Sequence, residues 1–278
     1  TAAAAGAIAA AADPDDFLRR ALEAGRALWA GEQAASGVDP AAALAAGQAE
    51  RARLGHYLGG MLAFEGEWYW GVDRINHLEE RLAGLGFDRR PGEPPLAPYQ
   101  SVDLSPATGN GAAVVDFWFS FRSPYSWIVF PRVVELTRAL GAELRLRYIL
   151  PMVMRGLPVP RIKSRYIMLD TKREAERAGI DFGCCVDPVG IGTERAIAVL
   201  HKAVGLGLGE AFAEAGLKAA FAQGIDLADV ASFMKVARSA GIDEAMVREA
   251  WADDSWRITA EANRKALLDA GLWGAPTY

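Results

Sequence analysis

The residues best suited to chemistry stand in one short run, Phe119-Ser120-Phe121-Arg122-Ser123-Pro124-Tyr125-Ser126-Trp127. A stretch rich in β-branched and aromatic types, Ala113 to Phe121, leads into it, and apolar residues at helical spacing follow, so the run reads as a corner where a strand ends and a helix begins. Ser123 falls at the N-cap and Pro124 at the first helical position. Unpaired backbone N–H groups and the positive end of the helix dipole converge there, and an anion beside Ser123 is stabilised by both. Serine followed by proline is equally an ordinary helix start. A second candidate is Gly274-Ala275-Pro276-Thr277-Tyr278, a turn in which the Ala275–Pro276 bond is a candidate cis peptide.

Other signals are weaker. Cys184 and Cys185 are the only cysteines, and adjacent cysteines rarely bridge, so a buried pair of small apolar residues is expected. With His56, His77 and His201 as the only histidines, neither a disulfide framework nor a structural zinc site is available, and no metal is expected. Gly205-Leu206-Gly207-Leu208-Gly209 has the glycines of a dinucleotide loop but follows a helical pattern rather than a strand, and so fails the required context. Trp68, Tyr69 and Trp70 suit an aromatic pocket or the packing of an edge strand against a helix.

Around the corner the chain divides into three. In residues 1–87, Asp13 or Asp15 caps a helix carrying Phe17, Leu18, Leu22, Leu28 and Trp29, and Asp39-Pro40 starts another. A hairpin follows over Met61–Phe64 and Trp68–Trp70, then a helix from Asp73 to about Leu85. Residues 88–112 are dominated by Pro and Gly, as in a linker. Residues 113–278 open with strand, helix from Pro124 to Leu140 and strand Glu143–Ile149, a βαβ unit with parallel strands and a right-handed crossover. Helices are then expected at Lys163–Ala178, Thr193–Val204, Glu210–Gln223, Leu227–Ala240, Glu244–Trp251 and Ile258–Ala270. The economical fold is α/β: a small sheet interrupted, over about residues 155–270, by an all-helical insertion.

Composition excludes several classes. Apolar types make up 51% of 278 residues, ample for a core, and charged types 23%, close to the globular average. No apolar run approaches the ~20 residues that span a bilayer. With 35 acidic against 30 basic residues, a net −5, the basic excess of a nucleic-acid binder is missing. The first thirteen residues lack the basic and long apolar regions of a secretory signal, so a cytoplasmic, reducing location is expected.

The pattern Asp116-Phe117-Trp118-Phe119-Ser120-Phe121-Arg122-Ser123-Pro124-Tyr125-Ser126-Trp127 resembles the N-terminal signature of the 2-hydroxychromene-2-carboxylate isomerases and kappa-class glutathione transferases, in the DsbA-like branch of thioredoxin folds. Leu157 to Tyr166 resembles that family's Lys-x-x-Tyr stretch, and Ala270 to Tyr278 its cis-proline loop. Glu65 to Arg74, with His77 to Leu82, resembles the last hairpin and helix of the same fold. Residues 13–85 thus resemble a partial, degenerate DsbA-like segment, with Gly60 at the cis-proline position, in either a tandem or a permuted chain.

The resemblance implies glutathione as cofactor. Ser123 would be the catalytic residue holding its thiolate, with Lys163, Ala275 and Pro276 on the tripeptide and Tyr125 and Trp127 flanking a small aromatic-derived acid. The implied activity is a glutathione-dependent isomerase; the alternatives are a kappa-type transferase and a non-catalytic binding module, and a homodimer is the candidate assembly. In disulfide-exchanging relatives this corner carries Cys-x-x-Cys. Here it is Ser-Pro-Tyr-Ser, and a serine cannot form the mixed disulfide of thiol exchange. Two departures from the family are visible: Pro151–Gly156 lacks the glutathione-binding Asn, and the family's Gly-x-Asp-Arg aspartate occurs only as Asp73.

Overall fold

In a computed structural model, residues 2–34, 37–100 and 113–278 are described. They form two compact units, 1–97 and 98–278. The boundary lies ten residues beyond the expected 87, because the backbone N–H groups of Leu96 and Ala97 donate to the Glu79 carboxylate and tie the start of the proline-rich stretch to the first unit. Much of the remaining linker, 101–112, lies outside the described residues.

The first unit contains α1 (Ala2–Ala9), α2 (Pro14–Trp29), α3 (Ala41–Leu54), β1 (Met61–Phe64), β2 (Glu67–Trp70), a 3₁₀ turn (Val72–Arg74) and α4 (Ile75–Gly84). The Asp13 side chain accepts from Asp16 N–H and caps α2 as expected. The hairpin β1–β2 is a two-stranded antiparallel sheet of its own, with Tyr69 almost fully buried. Gly60, just before it, has φ +67°, a conformation that favours glycine. Asp73 is exposed in the 3₁₀ turn.

The second unit opens with β3 (Val114–Phe119), α5 (Pro124–Leu140) and β4 (Glu143–Tyr148). The strands pair in parallel from Val114 opposite Glu143 to Phe119 opposite Tyr148, the expected βαβ unit. Residues two apart share a face of a strand. Phe117, Phe119 and Phe121 therefore form one fully buried ladder, with neighbouring ring centroids 5.5 Å apart. Phe130 of α5 packs against Phe117 and Phe119. The opposite face is polar: Arg147 donates to Asp116 at 2.6 Å.

The chain then runs through a 3₁₀ turn (Met152–Arg155) into α6 (Arg161–Ala178), α7 (Ile191–Gly205), α8 (Gly209–Phe221), α9 (Val230–Ser239), α10 (Glu244–Trp251) and α11 (Trp256–Asp269). The expected helical insertion is present. Gly205–Gly209 is the joint between α7 and α8 and not a phosphate loop. Helices α7 to α10 share one core with the phenylalanine ladder, to which α11 adds Trp256 and Ala260, and α11 also reaches Trp118, whose Nε1 donates to the Asn263 carbonyl.

Helix α8 meets the corner directly. Phe212 packs edge-on to Phe121, and a Cβ on Gly216 would lie 2.7 Å from Phe121 Cε1. Because that ring is fully buried, it has little room to yield. Gly216→Ala is expected to cost about 1–3 kcal/mol by overpacking, more than the ~1 kcal/mol that alanine gains in helix propensity. A lowered midpoint in denaturant unfolding checks this; an unchanged or raised midpoint would show the contact is slack.

Candidate active site

The corner is built as local chemistry requires. Ser123 has extended backbone angles (φ −97°, ψ 111°), its Oγ accepts from Ser126 N–H, Pro124 starts α5, and Gly141 ends it in the left-handed conformation. Fully buried Ser126 adds a hydroxyl within 3.4 Å of Ser120 N.

Thr277 returns the chain to the same place. Trp118 N–H donates to the Thr277 carbonyl at 2.8 Å and Thr277 N–H to the Trp118 carbonyl at 3.0 Å, an antiparallel bridge along β3. That bridge sets the Gly274–Thr277 turn beside the corner. The Ala275–Pro276 peptide is cis, and the Ser123 hydroxyl donates to the Ala275 carbonyl at 3.2 Å. Two segments some 150 residues apart thus place a hydroxyl, a helix N-terminus and a backbone carbonyl together.

Lys163, at the start of α6, holds its ammonium 5.8 Å from the ring centre of Trp273, in the loop leading to Pro276. The Lys-x-x-Tyr stretch and the proline loop are therefore neighbours. Tyr125 donates to Asp170 at 2.6 Å, and Tyr166 donates to its other oxygen at 3.3 Å. Asp170 is fully buried, with the Arg173 guanidinium 3.8 Å away. The Tyr125 hydroxyl is thus turned to α6. Trp127 is buried in the core and its Nε1 donates to the Asp181 carbonyl at 2.8 Å, so it supports the corner from below.

Sequence reasoning missed Arg122, whose guanidinium makes a forked pair with Asp187 at 2.7–3.1 Å and so fixes the loop entering the corner. Its place beside Ser123 was the available signal. The cysteines also depart from expectation. Cys184 is exposed, because its carbonyl accepts from Gly224 N–H while its side chain lies outside the core; Cys185 is part-buried, donates to the Phe221 carbonyl, and burial pushes its thiol pKa up. Burial thus disfavours the Cys185 thiolate. His201 accepts or donates at 2.6 Å to the Tyr148 hydroxyl, whose pKa burial pushes up to about 12, a contact within the packed interior.

Among the described residues no helix is long and apolar enough to cross a membrane. No curated protein matches the chain. Among solved structures, the cytosolic disulfide reductase DsbM from Pseudomonas aeruginosa is similar over 59% of this chain and 82% of its own, at 19% identity and a TM-score of 0.50, which shows the fold alone. A 2-hydroxychromene-2-carboxylate isomerase is similar over 59% of this chain and 83% of its own, at 22% identity and a TM-score of 0.49. The strand-to-helix corner and the cis-proline turn both fall inside residues 114–278, more than half of the chain, which the family model of the DSBA-like thioredoxin domain matches; the chain belongs to that family.

Proposed function

We infer that this protein is a glutathione-dependent isomerase acting on a small unsaturated acid of aromatic origin. The observation that carries the reading is the Ser123 hydroxyl lying 3.2 Å from the carbonyl of the residue before the cis-proline, at the N-terminus of α5. The donor set suits a thiol peptide. Ser123 offers an O–H, α5 its positive end, Ala275 a backbone carbonyl beside Pro276, and Lys163 an ammonium next to the proline loop. Serine at both ends of Ser-Pro-Tyr-Ser leaves the corner without a sulfur of its own, which argues against disulfide exchange there.

When bound, glutathione supplies a thiolate that adds reversibly to an unsaturated acid and divides one difficult step into two easier ones. The chain's task is to hold that sulfur ionised. An ordinary thiol with pKa ~8.5 is only about 3% ionised at pH 7, and a depression of about two units, worth ~2.7 kcal/mol, raises this to roughly 75%. A hydrogen bond to a charged acceptor contributes about 1.5–3 kcal/mol and a helix terminus about 0.3–1, which together cover the requirement. With glutathione bound, the Ser123 hydroxyl would donate to the sulfur, while its Oγ continues to accept from Ser126 N–H.

Titration calorimetry with glutathione, followed by turnover of 2-hydroxychromene-2-carboxylate with and without it, tests the reading. The expected result is saturable binding and an isomerisation that needs glutathione without consuming it. Consumption of glutathione would favour the transferase alternative, and no binding at millimolar concentration the non-catalytic module.

A further inference from the structure

The loop after β4 and the exposed face of α11 enclose a cavity of about 390 Å³ that the reading above leaves unassigned. Its place in the fold is suggestive. Parallel strands β3 and β4 end on the same side, since Ile149 N–H donates to the Phe119 carbonyl. The loop carrying Leu150, Arg155 and Leu157 therefore leaves the sheet at the end from which the Ser123 corner also leaves. In open α/β sheets that end is where ligands bind, and the volume lies within the ordinary range for small-molecule sites.

The lining is unbalanced in charge. Arg257, Glu261 and Arg264 follow one another at four- and three-residue spacing and so share a face of α11, across from Arg155. Two of the three guanidinium groups are already matched: Arg264 pairs with Glu261, and Arg257 with Asp254 at 2.9 Å and Glu194 at 3.1 Å. Arg155 is not. Among the described residues no carboxylate forms an ion pair with it, and its Nε is buried without a hydrogen-bond partner. Leaving a buried charged donor without a hydrogen bond is costly, and burial, with Arg264 alongside, pushes the Arg155 pKa down against the pull of the Glu261 carboxylate.

We propose that this cavity is a carboxylate-recognition site in which Arg155 takes the carboxylate of a small organic acid and Leu150, Leu157 and Ala260 take its apolar body. One unmatched guanidinium balances one negative charge. Glu261 on the wall disfavours a second, so a phosphate or a dicarboxylate is a poorer fit than a monoacid. The three apolar residues ask for a ligand with a hydrocarbon or aromatic portion. The proposal deepens the reading above by naming how its acid substrate is held; it rests on that reading for the reaction, but the binding can be measured alone.

Titration calorimetry of the full chain with phenylacetate, which cannot react with a thiol, provides the test. Saturable binding is expected, weakened at least tenfold by Arg155→Met. Leu157→Trp, which fills the cavity and leaves the guanidinium in place, is expected to weaken it similarly and guards against a misfolded Arg155→Met. Phenylethanol, the uncharged counterpart, is expected not to bind. Equal affinity in the parent and either cavity variant, or phosphate or succinate binding as tightly as phenylacetate, overturns the assignment. If glutathione fails to bind while phenylacetate binds, the thiolate reading fails and the cavity stands; the reverse outcome removes only the cavity.

Discussion

Ser123→Ala is expected to raise the thiol pKa of glutathione in its complex by about one to two units, since a hydrogen bond to a charged acceptor is worth about 1.5–3 kcal/mol and one unit is 1.36 kcal/mol. At the upper end the ionised fraction at pH 7 falls from roughly 75% to about 3%, and turnover falls with it by roughly twenty-five-fold. The sign follows from which form the hydroxyl contacts. In the proposed complex it donates to the anion, so removing it favours the protonated thiol and moves the acid limb of the pH–rate profile upward. Ultraviolet thiolate absorbance of the complex against pH reads this directly. A general loss of structure would not move that limb, and Ser123→Thr, which keeps a hydroxyl and a capping oxygen, should largely restore it. The same substitution removes the oxygen that accepts from Ser126 N–H, for which a loss of about 1 kcal/mol in stability is expected. An unchanged limb in Ser123→Ala means the sulfur is held by something other than this hydroxyl.

Phe119→Ala is expected to have the largest effect on stability, about 3–5 kcal/mol. The ring is fully buried, with the Phe117 and Phe121 centroids each 5.5 Å away and Phe130 at 6.2 Å, so its removal leaves a void walled by stiff aromatic groups that cannot close over it. Against a total of roughly 5–15 kcal/mol for a domain, that is enough to place the second unit near its unfolding threshold. The midpoint of denaturant unfolding measures it. Phe119→Leu retains most of the volume and is expected to cost clearly less; equal costs for the two substitutions would mean that packing at this position is not what the ladder provides.

The elements that could be read from the sequence are those whose causes are local. Ser123-Pro124 at one end of α5 and Gly141 at the other act within a turn of themselves, and the β-branched and aromatic run of β3 and the alternation in β4 are properties of six residues each. The helices of the insertion were legible because Gly and Asp punctuate them; Asp229 and Asp243 do cap α9 and α10 through their side chains. Boundaries were less so: α6 begins at Arg161 and α11 at Trp256, each two residues before the expected start.

What could not be read depends on partners far along the chain. Trp127 has a proper helical position but is claimed by a carbonyl 54 residues later. Cys184 has the composition of a core residue and an exposed side chain, set by the turn at Gly224. Arg155 and α11 are separated by a hundred residues, and only the fold reveals that they face one cavity. The spacing of Arg257, Glu261 and Arg264 was visible, yet it has no meaning until the opposing wall is known.

The contact between Phe121 and Gly216 makes the corner and the helical layer one mechanical part. A ring that fills the space where a methyl would be cannot tilt without lifting α8, so occupancy at the serine should be felt as slower amide exchange along that helix, and drift in the insertion is limited at this point to the smallest residue. The inserted helices thereby act as the anvil against which the corner keeps its shape.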